Sequence, residues 1–150
     1  MSKVSSPIVR NSSPPQHVKL REIVHHDVSD LSAIEDRLAG FDACFFCLGV
    51  SAVGMKEEEE YRRLTFDLTV SVARILAKLN PTMTFIYASG AGTDSTERGR
   101  LMWARVKGRT ENTLLEMPFK AVYLFRPAYI QPLHGVRTKT AWYGMAQFTL

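Results

Sequence analysis

Apolar residues recur along this chain with two alternating periods. Residues 83 to 87, Met-Thr-Phe-Ile-Tyr, form a short β-branched and aromatic run between Pro81 and the Gly90-Ala91-Gly92 turn. Such a run predicts a strand of a parallel sheet covered on both faces. Residues 42 to 48 make the most apolar run, a second strand, and residues 18 to 24 and 120 to 126 supply two more. Between the strands the period lengthens to three or four. Tyr61, Leu64, Leu68, Val72, Ile75 and Leu79 mark one face of a helix over about residues 56 to 79, the stripe of a helix lying on a sheet. Glu57 to Glu60 stand at its amino end, where carboxylates suit the helix dipole. Asp30 is placed to cap a shorter helix over 31 to 38 that stops at Gly40. A third helix follows the glycine turn, with Asp94, Ser95 and Thr96 as candidate caps and Asp94 and Glu97 at capping-box spacing. The order of elements predicts an α/β fold, a parallel sheet with right-handed crossovers and flanking helices. Residues 1 to 17, rich in Ser and Pro, read as a flexible arm, and residues 18 to 150 as one domain.

Candidate chemistry collects after the strand at 83 to 88. Ser89 lies just past its carboxyl end, where open α/β sheets bind ligands. Trp103 and Lys107 are one helical turn apart and share a face. Ser89 and Lys107 are therefore expected to face one pocket.

Composition narrows the functional classes. The chain has 150 residues, 45% of them hydrophobic, enough for one domain with a core. A net charge of +4 favours an anionic ligand but does not by itself argue for nucleic acid. No apolar run approaches the roughly 18 to 20 residues of a membrane span. The first thirty residues lack a signal core, so the cytoplasm is the expected location. Cys44 and Cys47 form a C-x-x-C, but residues three apart on a strand point to opposite faces, so two buried, reduced thiols are expected. His25-His26-Asp27 is a poor metal cluster, since His26 leaves the face shared by His25 and Asp27 and no third ligand is near. Gly49 and Gly54 have P-loop glycine spacing without the Lys-Ser/Thr that holds phosphate and metal, so this stretch reads as a turn.

A serine after a strand, an aromatic-x-x-x-Lys helix and a further strand ending in Arg126-Pro127 together resemble the atypical branch of the short-chain dehydrogenase/reductase and nucleotide-sugar epimerase superfamily. Trp103-Ala-Arg-Val-Lys107-Gly108-Arg-Thr-Glu111 is similar to the Tat-interacting-protein type of that branch. The resemblance covers roughly residues 18 to 137 and implies an NAD(P)-binding, Rossmann-like domain. It assigns cofactor contacts to Arg10 (the 2'-phosphate of NADP), Asp27 (adenine), Gly49 and Ser51 (nicotinamide ribose), Lys107 (ribose) and the loop that begins at Pro127. It assigns catalysis to Ser89, Lys107, Asp67 in a proton relay, and Trp103 at the position of the usual tyrosine. A solvated arginine is the alternative for Arg10, a surface aspartate for Asp67 and a helix-surface lysine for Lys107.

Two departures accompany the resemblance. The opening strand and glycine-rich turn that hold the pyrophosphate are absent, and the sequence reads as short at both ends relative to the family. Trp103 replaces the tyrosine, and an indole N–H is a donor with no accessible acid–base equilibrium. Tyr61, Tyr87, Tyr123 and Tyr129 are the other phenols available, each with packing as the alternative role. The expected function is an NAD- or NADP-binding oxidoreductase or epimerase-like protein with an impaired active site, acting on an unspecified small molecule. The alternative is a non-catalytic remnant serving as a nucleotide-binding or protein-interaction module, self-associating through open strand edges. Arg98, Arg100, Arg105 and Arg109 allow a third reading, a basic nucleic-acid surface, but they spread around the helix.

Overall fold

A computed structural model describes residues 23–25, 27–128 and 130. Three short apolar runs become strands: β1 Ala43–Phe46, β2 Thr84–Ala88 and β3 Ala121–Phe125. They pair in parallel in the order β1-β2-β3. The register aligns Phe45, Ile86 and Tyr123 across the sheet, and likewise Phe46, Tyr87 and Leu124. The α/β expectation therefore holds for the described residues. The strand expected over 18 to 24 lies outside them except for Ile23 and Val24; Ile23 is buried in the core and Val24 is exposed.

A 3-10 turn, Ser32–Ile34, leads into α1, Glu35–Leu38. The N-cap position is Leu31, not Asp30, and no side chain caps from it; Asp30, one residue earlier, accepts the Ser32 N–H at 3.0 Å. Buried Asn80 fixes the other end. Its Oδ1 accepts the N–H groups of Gly40 and Phe41 at 2.7 and 3.0 Å, and its Nδ2 donates to the carbonyls of Leu38 and Leu76 at 3.0 and 3.2 Å. One amide thus joins the exit of α1 to the last turn of the long helix.

That long helix begins at Glu58 and is not a uniform α-helix. It consists of α2, Glu58–Arg62, a π-helical segment, Arg63–Asp67, and α3, Leu68–Leu79. The three acidic residues Glu58, Glu59 and Glu60 occupy its first turn, where their charge is attracted to the positive end of the helix dipole. The wide π turn shifts the helix phase, so Tyr61, Thr65, Thr69, Val72, Ala73 and Leu76 are buried, while Leu68, Ile75 and Leu79 pack at the border. The expected stripe is corrected accordingly. A period of 3.6 locates a face only while the helix keeps 3.6 residues per turn.

The helix after the glycine turn, α4, spans Met102–Leu115. It starts later than the candidate caps, and no side chain caps it. Asp94 instead organises the connecting loop, accepting Thr96 N–H at 3.0 Å and its hydroxyl at 2.6 Å on one oxygen, and Arg98 and Gly99 N–H at 3.0 and 2.6 Å on the other. Four short-range donors satisfy the carboxylate before the helix begins.

The core lies between one face of the sheet and α1, α3 and α4. Phe46, Phe85 and Tyr87 meet Val72, Ala73 and Leu76, with Leu114 from α4. The Phe85 ring stacks on Phe119 at 4.9 Å between centroids. Coverage of both faces is not observed among the described residues: Phe45, Tyr123 and Phe125 are 62%, 61% and 60% exposed. The thiols follow this division. Cys44 shares the core-facing parity of Phe46 and burial pushes it up to about 12, whereas Cys47 is exposed, against the expectation of two buried cysteines. No helix among the described residues is long and apolar enough to cross a membrane.

Candidate functional site

The turn after β2 is tied to the segment after β3. Ser89 N–H donates to the Phe125 carbonyl at 2.7 Å, and Ala91 N–H to the Pro127 carbonyl at 3.0 Å. Pairing thus continues past both strands and seats Pro127 beside the glycine turn. Gly92 takes φ +84°, and a Cβ placed there would lie 3.2 Å from the Trp103 ring. The glycine therefore serves both the left-handed turn and the indole that packs on it.

Ser89 is nearly buried, its Oγ 3.0 Å from Thr93 Oγ1. The Thr93 hydroxyl donates its one hydrogen to the Gly90 carbonyl at 2.7 Å. The Ser89 hydroxyl must then donate to Thr93, and its lone pairs remain to accept. To orient a carbonyl, which needs a donor, it would have to rotate away from Thr93.

Tyr87 precedes Ser89 by two positions and shares its side of the strand. Lys107 Nζ stands over the Tyr87 ring, 5.8 Å from its centroid. Burial pushes the lysine pKa down, and the Glu111 carboxylate one turn further along α4 opposes that shift. At this end of β2, Lys107 stands over the Tyr87 ring, and Trp103, one turn back on α4, packs against Gly92.

The phenols at this end are not acid–base groups near neutral pH. Burial pushes the fully buried Tyr87 far up, reinforced by Tyr61 and Glu111 and opposed by the hydroxyls of Thr110 and Thr69. Burial also raises Tyr61, with Thr65 opposing. Tyr123 points away, to the exposed side of the sheet, and Tyr129 lies outside the described residues. Trp103 contributes no proton transfer, as its chemistry requires.

Other expected residues stand apart from this cluster. Asp67 closes the π segment and accepts a hydrogen bond from Arg62 Nη1 at 2.8 Å, an ion pair that ties its carboxylate to its own helix. Asp27 accepts the Ser29 hydroxyl at 2.5 Å and the Ser29 N–H at 2.9 Å, and these bonds lower its pKa. Gly49 and Ser51 are exposed on the loop after β1, where Ser51 Oγ accepts the Val53 N–H at 3.2 Å. Gly54 on that loop has φ +86°, in keeping with a simple turn. Arg10 lies outside the described residues, as does His26. Among the described residues no group of His, Cys, Asp and Glu could hold a metal.

The arginines of α4 are engaged rather than arrayed. Arg105 pairs with Glu58 and donates to the Gly99 carbonyl at 2.7 Å, and Arg109 stacks over Phe66 at 4.8 Å. The cavity of about 120 Å³ between α2 and α4 is lined by Arg62, Arg105 and Arg109 but also by Glu58 and Glu97. Mixed charge of this kind does not make a cradle for a polyanion.

Sequence reasoning missed the buried carboxylate of Glu111, which holds Arg126, and the role of Gly108. A Cβ at Gly108 would fall 1.8 Å from the Asp94 carbonyl oxygen, and Asp94 N–H donates to the Ala104 carbonyl at 3.1 Å. The loop thus lies directly on α4. Glu111 carried a signal, a charged residue four positions after Lys107 on the face that meets the sheet; Gly108 carried none, since the loop's path is not written in its neighbours. Compared with known proteins, the chain matches no protein-family model and no curated protein.

Proposed function

We propose that this chain is an NAD(P)-binding, Rossmann-type protein of the atypical short-chain dehydrogenase and epimerase class that holds a nucleotide without efficient turnover. The observation that supports this reading lies at the β2 carboxyl end, where the Pro127 carbonyl accepts from the turn after Ser89, Trp103 packs on Gly92 and Lys107 stands over Tyr87. Ligands of parallel α/β sheets bind outside the carboxyl ends of the strands. Lys107 would hold ribose hydroxyls or a phosphate, and a partly desolvated ammonium attracts an anion more strongly than a hydrated one. Ser89 would orient a carbonyl once it turned from Thr93.

Hydride transfer to a carbonyl also needs a proton donor. Trp103 cannot supply it, and the buried Tyr87 and Tyr61 hold their protons far above neutrality. Asp67 is paired with Arg62. Binding with impaired chemistry is therefore the reading that agrees with these residues.

Calorimetric titration of the purified chain with NADPH and NADH tests it, with oligomeric state measured alongside. Micromolar binding, weakened at least tenfold by Lys107→Ala, is the expected result. No heat up to millimolar cofactor from folded protein would sink the dehydrogenase reading. A protein-interaction module would then remain as the second reading.

A further inference from the structure

Among the described residues the helices lie against one side of the sheet, and the other side carries an aromatic surface. Phe45, Ile86 and Tyr123 form one row across the three strands, and Phe125 and Ala88 the next. Phe45, Tyr123 and Phe125 are all more than half exposed. Three strands about 4.8 Å apart and four to five residues long give a face of roughly 14 by 16 Å, on the order of 220 Å². A stable association of free partners buries about 800 Å² on each, so this face alone is too small for a dimer. A helix with its side chains is about 10 to 12 Å wide, and ten residues of it are about 15 Å long. The face has the dimensions of one short segment, and a tethered segment gains from its high effective concentration.

Residues 131 to 150 follow β3 after the five residues 126 to 130. Residues 141 to 150, Ala-Trp-Tyr-Gly-Met-Ala-Gln-Phe-Thr-Leu, carry no charge, and Trp142, Met145 and Phe148 recur at every third position. Residues 1 to 22 are a poorer match, with five charged side chains and no aromatic residue. From Ile130 to Ala141 the chain can span up to about 36 Å, whereas crossing from β3 to β1 takes only about 10 Å. We propose that the segment 141 to 150 docks across the Phe45, Ile86 and Tyr123 face of its own chain, supplying the missing layer of the sheet. This proposal is independent of cofactor binding.

Cys47 provides a built-in test, because it is exposed two residues beyond Phe45, while the half-buried Cys44 thiol faces the core side and is pushed up to about 12, which keeps it protonated near neutral pH. Single substitutions Thr140→Cys, Met145→Cys, Phe148→Cys and Leu150→Cys in the full-length chain would be oxidised with diamide, which takes up the two electrons and two protons released per disulfide. The expected result is an intrachain disulfide from Cys47 to at least one of these positions, seen as a monomer of altered mobility that reverts on reduction. Its yield should fall at least fivefold when Tyr123→Glu is added, with circular dichroism reporting that the sheet and helices persist. Disulfide-linked dimers in place of the monomeric product would show that a second copy occupies the face and overturn the proposal. Absence of any disulfide at all four positions would overturn it as well.

Discussion

The guanidinium of Arg126 grips the carboxylate of Glu111. Arg126 Nε lies 3.0 and 3.2 Å from the two oxygens, Nη2 completes the fork, and Nη2 also donates to Ser95 Oγ at 2.7 Å. Glu111 is 1% exposed while Arg126 is 39% exposed, so the pair joins the interior of α4 to the rim of β3 and to the loop before α4. Glu111 in turn raises the arginine pKa further.

Removing one partner of such a pair leaves a buried charge without compensation. Arg126→Met should lower stability by about 3 kcal/mol, with Glu111→Met in the same background restoring most of it. Thermal and urea denaturation of the two single variants and the double variant would measure this coupling. Additive losses would mean that the carboxylate does not depend on the guanidinium.

Gly108 should tolerate no side chain. Alanine is about 1 kcal/mol better than glycine within a helix, yet its Cβ would meet the Asp94 carbonyl oxygen at 1.8 Å. Overpacking against backbone outweighs propensity, so Gly108→Ala is expected to cost about 2 to 3 kcal/mol net. Denaturant midpoints check it, and a stabilised variant would show that the loop can lift from α4.

Asp94 predicts a pH dependence. The Thr96 hydroxyl, then the Gly99 N–H, hold its carboxyl below the ordinary value of 3.8. A carboxylate with a depressed pKa contributes stability that is complete above the unfolded value and is lost as pH falls through the folded one. The melting temperature of the wild-type chain should therefore fall between about pH 4 and pH 2 more steeply than that of Asp94→Asn. Parallel pH profiles for the two proteins would remove this role from Asp94.

Asn80 makes four hydrogen bonds from one buried amide. Asn80→Ala leaves two backbone N–H groups and two carbonyls without that partner, and a loss of about 2 to 3 kcal/mol is expected. Amide hydrogen exchange at Gly40 and Phe41 should accelerate in the variant before the sheet amides do. Equal acceleration everywhere would mean that the amide supports global stability and not this junction.

The strands β1, β2 and β3 were legible because short apolar runs bounded by Pro and Gly have few alternatives, and the placement of Trp103 and Lys107 on one face needed only helical period. Ser89 at a strand end was legible for the same reason. The π segment at Arg63–Asp67 was not, because a widened turn is decided by how Tyr61, Thr65 and Thr69 fit against neighbouring elements. Nor was the capping role withheld from Asp94, whose four donors depend on the path of the loop.

The sequence by itself determined the parallel α/β character, the order of its elements and the absence of a phenol at Trp103, all local properties of period and residue chemistry. Only the tertiary structure decided that Lys107 rests over Tyr87, that Ser89 is committed to Thr93, that Asp67 belongs to Arg62 and that Glu111 receives Arg126. These depend on distances between residues far apart in the chain, or on one turn of helix more or less, and they follow from packing the helices on one face of the sheet.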